Sequence, residues 1–103
     1  MDEEIVQAVL ERSQLLCENC YGPGEEFHYI CFGSGKRKQH ETKESVVLLC
    51  YKCHRGTYGI HGREGKKLDL KLKLRLQETY LNQGYTEEET RKMMGGKIYL
   101  EGD

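Results

Sequence analysis

The chain has 103 residues, a length that indicates one domain, with a formal net charge of −1 and 32% charged residues. No apolar run approaches the length of a membrane span, so a membrane partner is excluded. The start, residues 1–4, is acidic and lacks the basic and then apolar pattern of a secretory signal. We therefore expect a cytoplasmic protein whose thiols stay reduced.

The charge is unevenly distributed along the chain. From Lys36 to Arg75 there are 12 Lys and Arg against 4 Asp and Glu, whereas the remainder carries 4 against 13. A basic centre between acidic ends is what a polyanion-binding site needs. The alternative is a charged surface that is only solvated.

The first part of the chain predicts one helix and a hairpin. Residues 2–16 predict a helix, because the apolar positions follow a helical repeat behind an acidic first turn. Glu26 to Phe32 is rich in aromatic and β-branched residues and predicts a strand. Ser45 to Leu49 predicts a second strand that pairs back on the first.

The second part of the chain predicts two helices. Leucines alternate from Leu68 to Leu76, which fits a strand, yet residues 66–83 contain good helix formers and no β-branched residue in the leucine run, which favours a helix. Thr86 with Glu89 predicts a capping box for a short helix. The fold class is α+β. We divide the single domain into an N-terminal helix (1–16), a core (17–65) and a C-terminal helical extension (66–103).

Four of the five cysteines form two CxxC pairs, Cys17 with Cys20 and Cys50 with Cys53. Two such pairs in a short intracellular chain are typical of a tetrahedral structural zinc site, because thiolates select this kind of ion. A thiol redox protein is the alternative. The fifth, Cys31, lies in an apolar run and is predicted to be a buried free thiol.

Three histidines have no place in this cysteine site. His28 lies on the first predicted strand, and His54 and His61 follow the last cysteine. A zinc site that joins the base of the hairpin to the following turn would bring these imidazoles together. Such a cluster can hold a second, catalytic divalent ion with positions open for water and a phosphate oxygen.

At these residues the chain resembles a known family. Glu26 to Ile30 (EFHYI), followed by Leu49 to His54 (LCYKCH), is similar to the HNH (ββα-metal) endonucleases in their zinc-containing branch. The wider run, residues 17–100, resembles small HNH proteins of phages and prophages. The resemblance implies a ββα-metal core and a nuclease or nickase that hydrolyses DNA phosphodiesters with Mg²⁺ or another divalent ion. It also implies action in the cytoplasm of a bacterial host.

The resemblance carries over residue by residue. It places His28 and His54 at metal-ligand positions, and His61 at a further ligand or phosphate-contacting position. Tyr29 occupies the position of the general-base histidine, which is a departure from the family. For the family's asparagine there is no clear match, although Glu44 or Ser45 lies near its place.

The general base is therefore open. Tyrosine has an ordinary pKa near about 10, which suits water activation at neutral pH less well than histidine near about 6.5. His28 could be the base, leaving Glu26 or the other two histidines for the metal. His40 could supply the base from its loop, or Tyr29 could have a lowered pKa beside a metal. The last alternative is a catalytically impaired module that binds DNA or a protein without cutting.

Contacts to the DNA backbone are expected from four basic residues, Lys36, Arg37, Lys38 and Arg55. Such contacts position a duplex without reading its sequence, and nothing in the chain indicates base-specific readout. A solvated basic loop is the alternative. The predicted helix from Leu68 is interpreted as core packing with solvated lysines.

Overall fold

The computed structural model describes residues 1–31 and 41–100, so the predicted contacts at Lys36, Arg37 and Lys38, and the candidate base His40, lie outside the described residues. Within those two ranges the chain forms four helices and one two-stranded antiparallel sheet, in the order α1 (Glu3–Ser13), β1 (Glu26–Tyr29), β2 (Val46–Leu49), α2 (Tyr51–Arg55), α3 (Lys66–Asn82) and α4 (Glu87–Met93). The predicted α+β class is confirmed. The division into three parts stays a prediction.

Helix α1 is shorter than predicted at its carboxyl end. It begins after Asp2, whose side chain accepts a hydrogen bond from the main-chain N–H of Glu4 at 2.8 Å, as an N-cap does. It ends at Ser13, because Gln14 and Leu15 adopt left-handed backbone angles, with φ of 54° and 67°. The chain thus turns before the first cysteine pair.

The predicted hairpin is confirmed, and it has two faces. His28 lies opposite Val47, and Tyr29 lies opposite Val46, in the antiparallel register. Successive side chains of a strand point to opposite faces. Val47 packs in the larger apolar cluster with α3, whereas Val46 packs with Val9 of α1. The two faces of the sheet therefore pack against different helices, one against α1 and the other against α3.

The ambiguous leucine run is a helix, α3. Leu72, Leu76 and Tyr80 recur at the helical interval of four and are each at most 2% exposed, packed with the larger cluster. The predicted capping box of α4 is also present, with Thr86 and Glu89 exchanging hydrogen bonds. In a strand, the alternating leucines from Leu68 to Leu76 would all lie on one face of a sheet. In the helix, only Leu72 and Leu76 of these leucines are buried.

Two smaller predictions concern single features. Cys31 is buried at 8% exposure and forms no disulfide, as expected for an apolar thiol. Among the helices in the described ranges, none is both long and apolar enough to cross a membrane.

Candidate metal centres

The four cysteines of the two CxxC pairs come together in space. Cys17 and Cys20 lie on the turn after α1, Cys50 is the N-cap of α2, and Cys53 lies within that helix. All four sulfur atoms lie within 4.8 Å of one another. The Sγ atoms of Cys20 and Cys50 are 3.6 Å apart, close to the separation of about 3.8 Å that tetrahedral Zn–S bonds of about 2.3 Å require. The predicted cluster is confirmed, and it can hold a metal ion.

Hydrogen-bond donors surround the sulfur atoms. The main-chain N–H of Cys20 donates to Sγ of Cys17 at 3.5 Å, and that of Cys53 donates to Sγ of Cys50 at 3.4 Å. The side-chain amide of Asn19 donates to Sγ of Cys53 at 3.3 Å. Donors of this kind stabilise thiolates, the form in which cysteine binds metals. The arrangement fits a metal-bound cluster better than four neutral thiols.

Without a bound metal ion, the thiols of the cluster differ in pKa. Burial opposes ionisation of Cys17, yet N–H donors from Cys20, Cys50 and Asn19 hold its pKa at about 7. Burial raises the pKa of Cys53 to about 12. A divalent cation would offset the repulsion among thiolates and let all four ionise together. The chemistry of this donor set therefore fits a divalent ion.

Three imidazoles form a second cluster beside the cysteines. The ring centroids of His28 lie 5.2 Å from those of both His54 and His61, and the last two are 4.8 Å apart. One ring nitrogen of each histidine lies within 4.8 Å of a ring nitrogen of each of the other two. His28 and His54 are buried and His61 is exposed, so the cluster opens to solvent on the His61 side.

The cysteine turns and a glycine-rich turn place these histidines. The main-chain N–H of His54 donates to the carbonyl of Cys50 at 3.0 Å, and that of His61 donates to the carbonyl of His54 at 2.9 Å. The turn from 56 to 65 is so compact that a Cβ on Gly62 would collide with the carbonyl oxygen of Gly56. The repeated glycines therefore hold His61 over the end of α2.

Glu26 orients His54. Its Oε1 lies 2.7 Å from Nδ1 of His54, and Arg55 donates from Nε to the same oxygen at 3.1 Å. The hydrogen bond from His54 and the nearby Arg55 hold the pKa of Glu26 below its usual range, so it is an ionised acceptor. Nδ1 of His54 must then carry the proton. When the imidazole is neutral, Nε2 then carries a lone pair for a metal ion, in the carboxylate–histidine arrangement common at metal sites.

The pKa values of two of the imidazoles, those of His28 and His61, lie below the ordinary value of 6.5. Burial, together with positive charge from His54, His61 and Lys73, lowers the pKa of His28 to about 3. Burial also lowers the pKa of His61, as does its proximity to the other basic groups. Neutral imidazole is the form that binds metal ions and accepts protons. Both uses are chemically open to this cluster.

The structure does not bring Tyr29 into the histidine cluster. Its ring packs against Val9, Val46 and Leu48 on the α1 side of the sheet. Its hydroxyl donates to Oε1 of Glu41 at 3.0 Å. Alternation along β1 explains this placement, because His28 points to the other face.

The other candidates divide between the site and its surroundings. Arg55 lies beside the histidines with its side chain 51% exposed. Ser45 is buried in a turn, where its hydroxyl donates to the carbonyl of Thr42 at 2.9 Å. Glu44 lines a separate cleft, and its Oε2 lies 4.0 Å from Nζ of Lys43. Neither Ser45 nor Glu44 joins the histidines.

Two features near the clusters have only weak sequence signals. Asn19 is recognisable as an amide between two cysteines, but its bond to Cys53 depends on the fold. Lys73 was expected to be solvated, yet its side chain is 15% exposed and donates to Asp69 at 2.8 Å. Its charge acts on His28 because α3 packs on that face of the sheet.

Comparisons with known proteins return no match, whether with family models, with curated proteins or with solved structures. The likeness to HNH endonucleases therefore rests on the motif residues of the sequence alone and stays an expectation.

Proposed function

We propose that this chain is a zinc-stabilised, metal-dependent endonuclease or nickase of the HNH type that hydrolyses phosphodiester bonds in DNA. The observation that carries the proposal is the convergence of His28, His54 and His61 next to four clustered cysteines. As a protein of the phage or prophage type, it would act in the cytoplasm of a bacterial host.

The cysteine cluster would hold the structural ion. Four sulfur donors select a soft or borderline ion and leave no position for a substrate, which is the property of structural zinc. The cluster joins the turn after α1 to the start of α2. A zinc ion there would stabilise the junction on which both His28 and His54 depend.

The histidine cluster would hold the second ion. His28 and His54 are its proposed ligands, and Glu26 keeps Nε2 of His54 available through its bond to Nδ1. Imidazole donors suit a transition metal better than Mg²⁺, so Mn²⁺ or Ni²⁺ fits this set better. A bound divalent ion would supply positive charge for the phosphate and the leaving 3′ oxygen.

His61 is our candidate for the general base. It is the only exposed member of the three, so a water molecule can reach it. The water oxygen bonds to phosphorus and passes its proton to the ring of His61, while the bond from phosphorus to the 3′ oxygen breaks. The 3′ oxygen then takes a proton from solvent. Tyr29, on the other sheet face and bonded to Glu41, is a poorer candidate.

Arg55 is the proposed contact to the DNA backbone within the described residues. Its guanidinium is half exposed and lies beside Glu26, at the edge of the histidine cluster. A guanidinium holds phosphate oxygens well and does not depend on the base sequence. The basic centre of the chain would add a longer-range attraction that weakens with salt.

A second candidate function is a zinc-stabilised module that binds DNA or a protein without cutting. The observation that favours it is the placement of Tyr29, because a tyrosine stands at the position where the family resemblance implies the base and faces away from the imidazoles. In that case the histidines would hold an ion only for structure.

Incubation of the pure protein with supercoiled plasmid and Mn²⁺, Ni²⁺ or Mg²⁺ separates the two functions. The nuclease proposal expects metal-dependent nicking that is lost in His28→Ala, His54→Ala and His61→Ala, with zinc content and circular dichroism unchanged. His40→Ala tests His40, which the sequence predicts to lie in a loop, as the alternative base. An inert wild type with an active Tyr29→His variant would favour the impaired module, as would salt-sensitive DNA binding without any nicking.

A further inference from the structure

A surface depression of about 400 Å³ lies beside the cysteine cluster, and its lining residues are Asn19, Tyr58, Glu64, Lys67, Leu68 and Lys71. Its volume is within the range of about 300–1,000 Å³ that is usual for small-ligand sites. Asn19 connects it to the cluster, since its amide donates to Cys53 and its carbonyl oxygen accepts from Lys71 at 3.0 Å. We call this depression the Tyr58 pocket.

The aromatic ring of the Tyr58 pocket is held out into solvent. Tyr58 is 75% exposed, and its hydroxyl makes no hydrogen bond to any residue within 1–31 or 41–100. The loop that carries it is firmly bonded, because the carbonyl of Thr57 accepts from the N–H of Glu64 at 2.7 Å and Gly59 donates to Gly56 at 2.9 Å. A large ring on a fixed backbone is suited to stacking at little entropic cost.

Two ammonium groups border the same ring. Lys67 and Lys71 are four residues apart on α3 and so lie on the same side of that helix. Within the described residues Lys67 forms no ion pair, and Lys71 bonds only to the neutral amide of Asn19. Glu64 lines the pocket without pairing to either lysine. The pocket therefore offers two cationic groups that form no ion pair with the described side chains, with the single carboxylate of Glu64 in the same lining.

We infer that the Tyr58 pocket binds one unpaired nucleotide of single-stranded DNA. The base would stack on the ring of Tyr58 and against Leu68, and the adjoining phosphate would lie between Lys67 and Lys71. The inference rests on the proposed function only for the choice of DNA as the partner. It narrows the proposed substrate to DNA that contains a single-stranded segment.

The chemistry of the pocket favours a single strand over a duplex. A base inside a duplex is stacked on both faces and offers no free surface to a tyrosine, whereas an unpaired base does. Stacking on an aromatic ring tolerates every base, and lysines hold phosphates without reading sequence. The pocket accordingly selects unpaired structure and not a particular base.

The test is fluorescence anisotropy of a labelled single-stranded oligonucleotide, and of its duplex, with the full chain and no added divalent ion. Tyr58→Ala should raise the single-strand Kd roughly 5- to 100-fold, and Tyr58→Phe should stay within about twofold, as expected for one base stack. Tyr21→Ala is the matched control, since Tyr21 is equally exposed at 75% but lies outside the pocket.

A second pair of variants tests the phosphate contact. Lys67→Ala should weaken binding and reduce the slope of log Kd against log salt by roughly 0.7, the value for one phosphate contact on a single strand. Lys92→Ala removes an exposed lysine on α4 that does not line the pocket. It should leave the single-strand Kd and the salt slope unchanged. Equal slopes for Lys67→Ala and the wild type would contradict the phosphate contact.

The outcomes separate this inference from the nuclease proposal. If the wild type nicks plasmid and Tyr58→Ala binds single-stranded DNA as tightly as the wild type, the pocket inference is wrong and the nuclease proposal is supported. Single-strand binding that depends on Tyr58, without nicking under any metal, would support the pocket and overturn the nuclease. Tighter binding of the duplex than of the single strand would also overturn the pocket.

Discussion

The carboxylate of Glu26 and the imidazole of His54 meet where the hairpin joins α2, with Oε1 of the first 2.7 Å from Nδ1 of the second. The two residues are 28 positions apart in the chain, and the contact exists because β1 pairs with the strand that leads into α2. It determines which nitrogen of His54 is available, and so links the hairpin directly to the proposed chemistry.

Glu26→Gln tests this contact. A neutral amide accepts the Nδ1 proton less strongly, so the affinity of the histidine cluster for Mn²⁺ should fall by roughly 10- to 100-fold. Titration of Mn²⁺ by calorimetry measures it. The matched control is Glu25→Gln, because Glu25 accepts from the N–H of Tyr51 and not from a histidine. The same Mn²⁺ affinity in Glu26→Gln and the wild type would refute the positioning role.

Removal of zinc should unfold the region around the cysteine cluster. Structural zinc contributes roughly 10–16 kcal/mol of apparent binding free energy in small peptides, more than the net stability of many domains. We expect Cys53→Ser to lose zinc and native circular dichroism, and a strong chelator to do the same to the wild type. Cys31→Ala is the control, since Cys31 is buried but lies outside the cluster. A native circular dichroism spectrum after complete zinc removal would show that the proposed structural role of zinc is wrong.

Acidification should destabilise the fold through His28. Its pKa is lowered to about 3 in the folded chain, while the unfolded chain has the ordinary value of 6.5. Between these values the unfolded state binds more protons, so the free energy of unfolding decreases as the pH falls, by up to about 1.4 kcal/mol per pH unit.

Denaturant unfolding at several pH values, without added divalent ion, measures this effect. His28→Gln removes the titrating group and should show a shallower dependence between pH 6.5 and 5. Loss of zinc from the thiolates affects both proteins alike, so the difference between them isolates His28. Parallel pH profiles would contradict the prediction.

Gly62→Ala should disturb His61 without touching a metal ligand. The added methyl would meet the carbonyl oxygen of Gly56, so the turn must open, at a cost of at least about 1–3 kcal/mol. We expect lower stability in thermal unfolding and loss of plasmid nicking. Gly22→Ala is the control, because its Cβ would lie 3.5 Å from Sγ of Cys20, an ordinary contact. Equal stability of Gly62→Ala and the wild type would contradict the close packing of this turn.

Local sequence determined several parts of this protein. The spacing within each CxxC pair places the sulfur of its first cysteine next to the backbone N–H of its second. The capping box of Thr86 and Glu89 and the helix over the leucine run depend on neighbours within one turn. Such short-range preferences act wherever the segment lies in the fold.

Only the tertiary structure decided the neighbours of the histidines. Strand alternation in this register puts Tyr29 against α1 and His28 toward α3, and the packing of α3 brings Lys73 near His28. Glu26 reaches His54, and Asn19 reaches Cys53, across long intervals of sequence. These contacts depend on how separate elements pack against each other, and no periodicity within a single element encodes them.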